Sequence, residues 1–171
     1  MPRSKSDISN TAVRIILERI GVAYDDERGF EKYSKKKHFP EVRNFFADQC
    51  CLCGANGAEH NLEQDHLVPI NKSKLGLHAW GNIVPVCKDC NSKKADEDWR
   101  VYLRKIDKGK AKAREKRLEL FIQNYRYQPD LTPIGDAVEE LYEESGEIIE
   151  KLIALKFSRA SRRMGFATPT K

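Results

Sequence analysis

Apolar residues recur at helical spacing along most of this chain. A stripe from Ile8 to Ile20 predicts a first helix that ends at Gly21, and a short second helix is predicted to open at Pro40. The segment from Asn91 to Gln128 predicts two more helices, separated by a break at Lys108-Gly109-Lys110. The pattern therefore indicates a mainly α chain.

The last helical segment, from Leu131 to Leu155, alternates steps of three and four residues and has Ser145 in one core position. This spacing is typical of a heptad-like apolar stripe. We interpret the segment as a helix that packs on its own chain. A coiled-coil seam in a homodimer is the alternative.

The stretch from Cys50 to Lys94 departs from the helical pattern. Leu62 to Ile70 is strand-like and breaks at Pro69. Ile83 to Val86 is a second short strand, in which Pro85 predicts an edge position. The predicted organisation is a helical lead-in, a small core with two strands, basic and then amphipathic helices, and a flexible basic tail, at 1–49, 50–106, 107–157 and 158–171.

The composition suits a small folded core with long solvated helices. Of the 171 residues, 33% are charged and 40% are hydrophobic, which indicates one domain or a small domain with a helical extension. The formal net charge of +5 favours polyanions only mildly. The first residues contain no apolar leader and no run approaches transmembrane length, so we expect a cytoplasmic protein without membrane contact.

Four of the five cysteines form two Cys-x-x-Cys pairs, Cys50 with Cys53 and Cys87 with Cys90. In a reducing compartment this spacing favours a metal over disulfides, and four thiolates suit tetrahedral Zn²⁺. Cys51 could replace Cys50, but the spacing favours Cys50 and leaves Cys51 as a buried free thiol. A redox dithiol is less favoured, because the two pairs match each other.

Three further motifs lie between and after these cysteines, in this order: Asp65-His66-Leu67-Val68-Pro69, Trp80-Gly81-Asn82 and Cys87-x-x-Cys90-Asn91-x-x-Lys94. Together they resemble the HNH endonucleases. The resemblance implies a ββα-metal (His-Me finger) nuclease core, in which two antiparallel strands and a helix surround one divalent ion. The third position is an asparagine here, which makes the chain similar to the His-Asn-Asn members.

The resemblance also implies roles for single residues. His66 would be the general base, Asn82 would hold the loop and orient His66, and Lys94 could pair with phosphate. Asp65 and Asn91 would ligate Mg²⁺ or Mn²⁺, which prefer hard oxygen donors. Taken singly, these residues could instead satisfy backbone groups or cap a turn or helix. Three nearby residues stay outside the motif: His60, which could contact substrate, His78, and Glu63 as a weaker candidate still.

A basic stretch from Arg100 to Arg117 follows the predicted site helix. We expect it to contact the backbone of double-stranded DNA, and an ordinary solvated helical face is the alternative. The candidate phosphate contacts in it are Lys110, Lys112, Arg114, Lys116 and Arg117. The expected function is a DNA endonuclease that leaves 5′-phosphate and 3′-hydroxyl ends, as the HNH family does in restriction, phage and mobile-element settings. A non-catalytic zinc module that binds nucleic acid is the alternative.

Overall fold

A computed structural model describes residues 4–106 and 109–163 of the chain. In these residues two short strands lie between two groups of helices. The elements in chain order are α1 (Lys5–Glu27), α2 (Lys35–Phe45), β1 (Leu62–His66), β2 (Ile83–Cys87), α3 (Lys88–Lys94), α4 (Trp99–Ile106), α5 (Ala111–Asn124), a 3-10 turn (Thr132–Ile134) and α6 (Gly135–Arg163).

Helix α1 begins at a capping box. The Ser4 side chain accepts a hydrogen bond from the Asp7 amide, and the Asp7 carboxylate accepts one from the Ser4 amide. The predicted stop at Gly21 is wrong, because α1 continues to Glu27. Gly21 instead permits a close approach, since a Cβ there would lie 2.5 Å from the carbonyl oxygen of His78.

Helix α2 begins at Lys35, five residues before the predicted start at Pro40. Residues 35–38 form the first turn of this helix. Pro40 is the sixth residue of α2, so the carbonyl of Lys36 lacks the intrahelical hydrogen bond that an amide at position 40 would donate. His38 is buried in this turn, whereas the three lysines before it are exposed.

Strands β1 and β2 pair antiparallel, with Leu62 opposite Cys87 and His66 opposite Ile83. Helix α3 follows β2 directly and packs on both strands, which produces the predicted ββα unit. Pro85 lies opposite Gln64 in the pair, and its carbonyl accepts a hydrogen bond from the Cys51 amide at 2.9 Å. The cysteine loop is therefore attached to the outer side of β2.

Helices α1 and α6 pack against each other over an apolar cluster that includes Val13, Leu17 and Val138. Their antiparallel arrangement is fixed by the contacts of Ser9 with Ser145 and of Lys5 with Glu150. The first half of α6 therefore packs on its own chain, against α1, as the sequence predicts. The helix also reaches Arg163, so residues 158–163 are helical where a flexible tail was expected, and residues 164–171 lie outside the described part.

A buried ion pair joins α1 to the loop before β2. The Asp25 carboxylate accepts a hydrogen bond from the Trp80 amide at 3.1 Å and pairs with Arg28, which also donates to the carbonyls of Trp80 and Tyr125. Burial raises the pKa of Asp25 to about 6, although the Arg28 charge acts in the opposite direction. Trp80 in turn stacks on Tyr125, with 4.9 Å between the ring centroids.

Within the described residues, no helix combines the length and apolar character that crossing a membrane requires.

Replacing Asp25 with alanine is expected to destabilise the fold by about 3–5 kcal/mol, because the change leaves Arg28 as an unpaired buried charge and removes the acceptor of the Trp80 amide. Urea denaturation measures this loss. Asp26→Ala is the matched control, since Asp26 is the exposed neighbour in the same helix. Equal unfolding free energies for the two variants would show that the Asp25 ion pair does not support the fold.

Candidate active site

The four paired cysteines converge on one point. Every pair of sulfur atoms among Cys50, Cys53, Cys87 and Cys90 lies within 4.8 Å, and the Cys53 and Cys87 sulfurs are 3.6 Å apart. Tetrahedral Zn²⁺ with bonds of about 2.3 Å requires sulfurs about 3.8 Å apart, so the cluster can bind zinc.

The loop geometry supports thiolates at this point. The Cys53 amide donates to the Cys50 sulfur at 3.5 Å, and the Ala55 amide donates to the Cys53 sulfur at 3.4 Å. Gly54 has a φ of 79°, which a residue with a side chain rarely adopts. These features form the turn that a Cys-x-x-Cys metal loop needs.

Cys51 lies outside the cluster. Its side chain is buried, and burial raises the pKa of its thiol well above the usual value, so the thiol stays protonated. The sulfur of Cys50, and not that of Cys51, lies in the cluster, as the spacing favours, and zinc binding by Cys50 stays a prediction.

Two polar pairs connect β1 to α3 beside the cysteine cluster. The Asp65 Oδ2 atom lies 3.0 Å from Lys94 Nζ, and the Asn91 Nδ2 atom donates to Glu63 Oε2 at 3.0 Å. Glu63 and Asp65 share a face of the strand because they are two residues apart, and Asn91 and Lys94 are neighbours on the helix. The fold thus places Asp65 and Asn91 on facing surfaces of β1 and α3. Asp65 contacts Lys94, which is close to Asn91 on the helix, and Asn91 contacts Glu63, which is close to Asp65 on the strand.

This arrangement leaves oxygen atoms for a cation. A carboxylate only accepts hydrogen bonds, so the nitrogen of the Asn91 amide must face Glu63, and the amide oxygen Oδ1 is directed elsewhere. The buried Asp65 Oδ2 receives no hydrogen bond from the described residues apart from its ion pair with Lys94. A carboxylate oxygen and an amide oxygen are the donors that Mg²⁺ and Mn²⁺ prefer, so these side chains fit such an ion.

His66, at the end of β1, contacts a second imidazole. Its Nε2 atom lies 3.0 Å from the Nδ1 atom of His78, and its side chain is only 7% exposed. Burial, and then the nearby charges of His78, Arg14 and Lys94, lower the pKa of His66 to about 3, so the ring is neutral at cellular pH. Burial also lowers the pKa of His78.

Asn82 closes the loop that follows His66. Its Nδ2 atom donates to the carbonyls of Val68 and Leu77 at 3.0 and 2.8 Å, and its Oδ1 atom accepts from the Val68 amide at 2.7 Å. Its side chain is completely buried. One asparagine therefore holds the two ends of the loop together and fixes the backbone next to His66.

The expected phosphate contacts differ in their exposure. Lys94 is 1% exposed and faces Asp65, so its ammonium group cannot reach DNA in this conformation. This placement differs from the phosphate contact that the sequence led us to expect. Arg117 donates to the Phe45 carbonyl at 2.5 Å, and Arg114 lies against Gly54 in the cysteine loop. Lys110, Lys112 and Lys116 are exposed at the start of α5.

Other charges of the basic stretch act within the chain. Arg100 pairs with Glu115 and Glu119, and Arg104 pairs with Glu115, all across α4 and α5. These arginines form ion pairs between the two helices. Fewer cations of the basic stretch are therefore left to contact DNA than the sequence suggested.

Two contributors to the site, His78 and Glu63, lie outside the sequence motif. His78 lies in a loop outside the motif, and only the close approach of α1 and the loop to β1 places it beside His66. Glu63 carried one usable signal, because its position two residues before Asp65 predicts that both side chains share one face of the strand.

Residues 50–99 match the model of a protein family described as HNH endonuclease. No significant match was found among curated proteins or among solved structures. The matched segment contains both cysteine pairs, both strands and α3, and it ends at the first residue of α4. The resemblance to the HNH endonucleases is therefore confirmed, and it supports a nuclease that binds metal.

Cys87→Ala is expected to lose bound zinc and to unfold the segment between Cys50 and Lys94, because a structural zinc site contributes on the order of 10 kcal/mol in small metal-binding units. Metal analysis of the purified chain and its melting temperature measure both effects.

Cys51→Ala is the matched control for that variant, since it also removes a buried thiol but leaves the four clustered sulfurs. The control should retain one zinc ion per chain. Equal zinc content in the two variants would contradict a four-cysteine site.

Proposed function

We propose that this chain is a divalent-metal-dependent DNA endonuclease, in which His66 is the general base. The proposal is carried by the placement of a neutral histidine at the end of the strand whose Glu63 and Asp65 contact Asn91 and Lys94 of α3. A zinc module that only binds nucleic acid would need the cysteine cluster but none of these three side chains.

His78 is proposed to set the tautomer of His66. If the His66 Nε2–H donates to His78 Nδ1, the Nδ1 atom of His66 keeps its lone pair. No hydrogen bond to that Nδ1 atom is found among the described residues. It can therefore accept the proton of a water molecule that attacks the phosphodiester, as a general base must.

Asp65 and Asn91 are proposed to hold the Mg²⁺ or Mn²⁺ ion. When bound, such an ion stabilises the charge on the phosphodiester and on the departing 3′-oxygen. Glu63 orients the Asn91 amide through its hydrogen bond. Lys94 orients Asp65, and this positioning role replaces the phosphate contact expected from the sequence.

The exposed lysines of α5 are proposed to bind the DNA backbone. Lys112 and Lys116 are exposed one helical turn apart, and Lys110 directly precedes the helix. Contacts of this kind supply affinity without sequence specificity, because the phosphates are the same at every base pair.

His66→Ala is expected to lower the rate of plasmid nicking in Mg²⁺ or Mn²⁺ by about 100-fold or more, because general base catalysis contributes about 10²–10⁴-fold. DNA affinity and zinc content should stay unchanged. His60→Ala serves as the control, since His60 is exposed and lies outside the sequence motif. A His66→Ala variant that cuts as fast as the original chain would exclude His66 as the base.

Replacing both Lys112 and Lys116 with alanine is expected to weaken DNA binding and to make the binding less dependent on salt, by about two counterions in the slope of log K against log salt concentration. Fluorescence anisotropy over a salt series measures both. The double replacement by arginine keeps the charge and should keep the affinity. Unchanged binding by the alanine variant would place the DNA on another surface.

A further inference from the structure

The His66 end of strand β1 lies close to helix α1, which is outside the segment 50–99 that matches the HNH endonuclease family. Gly21 of α1 approaches the His78 backbone so closely that a Cβ there would lie 2.5 Å from the His78 carbonyl oxygen. His78 in turn contacts His66, with 3.0 Å between the two ring nitrogens. Helix α1 therefore forms one border of the proposed active site.

Arg14 and Glu18 lie on the same face of α1 as Gly21, because the three residues follow one another at steps of four and three. Arg14 pairs with Glu18 at 3.3 Å, and the Arg14 side chain is 57% exposed. Burial, and then the His78 charge, lower the pKa of His66, and the Arg14 charge lowers it further. Arg14 is therefore an exposed cation within electrostatic reach of the proposed general base.

A cleft of about 610 Å³ extends from Arg14 along α1. Asn71, in the loop that follows β1, and Asp96, just after α3, line its other side. The cleft is therefore bounded by the segments that leave β1 and α3, which are the two elements that carry the proposed metal ligands.

A second exposed cation, Lys32, approaches His78 from the segment before α2. It directly precedes Tyr33, whose ring packs edge-on against the His78 ring with 5.5 Å between the ring centroids. Burial lowers the pKa of His78 most, Glu18 acts in the opposite direction, and the charges of Arg14 and Lys32 lower it further. Two exposed cations from different segments thus lie near the histidine pair.

Two carboxylates restrict where an anion can bind in this region. Asp7, which belongs to the capping box of α1, and the exposed Asp96 both line the cleft and would repel a phosphate inside it. The rim beside the histidine pair, where Arg14 and Lys32 lie, is the favourable position for a phosphate. A guanidinium group suits this ligand because it can donate two parallel hydrogen bonds to phosphate oxygens.

We propose that Arg14, supported by Lys32, binds a backbone phosphate of the DNA next to the phosphate that is cut. This inference rests on the proposed nuclease function, in which the cut phosphate lies between His66 and the metal ligands. Arg114 of α5 lies against the cysteine loop, at the opposite end of β1 from His66. A duplex that contacts both α1 and α5 is therefore held on two sides of the site.

Binding of a DNA duplex without Mg²⁺ or Mn²⁺ tests the contact without any need for cleavage. Arg14→Ala is expected to weaken binding by about tenfold and to lower the slope of log K against log salt concentration by about one counterion, because one charge-assisted contact to a phosphate is lost. Arg14→Lys keeps the charge and should keep the slope. Arg14→Ala combined with Lys32→Ala should lower the slope by about two counterions.

Arg19→Ala is the matched control, since Arg19 is exposed on the same helix but lies about 140° around its axis from Arg14. Both variants should keep the melting temperature of the original chain, because the Arg14–Glu18 pair is exposed and such pairs contribute little to stability. Equal DNA affinities and equal salt slopes for the two variants would overturn the proposal.

Photo-cross-linking tests where the contact lies. Replacing Arg14 with benzoylphenylalanine should attach the chain to the duplex on irradiation, whereas the same replacement of Arg19 should not. On a duplex whose cut position has been mapped, the attachment from position 14 should fall beside the cut. Attachment scattered along the duplex would overturn the placement next to the cut phosphate.

The same samples separate this proposal from the nuclease function. A chain that binds DNA through Arg14 but cuts nothing with Mg²⁺ or Mn²⁺ would reject the nuclease function while supporting Arg14 as a DNA contact. A chain that cuts, but whose Arg14→Ala and Arg19→Ala variants bind and cut alike, would overturn the Arg14 contact and leave the nuclease function in place.

Discussion

The structure depends on the convergence of four cysteine sulfurs at one point. Strands β1 and β2 have five residues each and α3 has seven, and elements of this length are not stable alone in water. The cysteine cluster joins the loop at 50–53 to the end of β2 and the start of α3, across a sequence separation of 34 from Cys53 to Cys87. Four thiolates this close would repel one another without a cation, so a bound metal would stabilise the fold of this unit.

Around that unit, each side chain proposed to act in the reaction is held by a partner from another part of the chain. His78 contacts His66, Glu63 binds the Asn91 amide and Lys94 pairs with Asp65. Such partners fix the orientation and protonation state of the groups that they touch. In the proposed function, the cysteine sulfurs bind a structural metal, whereas oxygen and nitrogen atoms take part in the reaction.

The sequence predicted the parts of this unit that local spacing determines. The two Cys-x-x-Cys pairs, the two strands and the helix after Cys87 could be read directly, because each depends on residues close together in the chain. The burial of Lys94, the contact of His78 and the ion pair of Asp25 could not be read, since each depends on elements packed from distant segments. Gly21 is a further example of a distant contact that the sequence did not reveal. It was interpreted as a helix end, but the close approach of the His78 backbone to α1 explains why a glycine stands at this position.

We propose that one small unit uses two chemically different metals, zinc for folding and a hard cation for cleavage. Cleavage of plasmid DNA by zinc-loaded protein, titrated with Mg²⁺ or Mn²⁺ while the zinc content is monitored, tests it most directly. Cleavage should begin only when the hard cation is added, should leave 5′-phosphate and 3′-hydroxyl ends, and should not displace zinc. Equal cleavage with zinc alone, or no cleavage with any divalent cation, would contradict it.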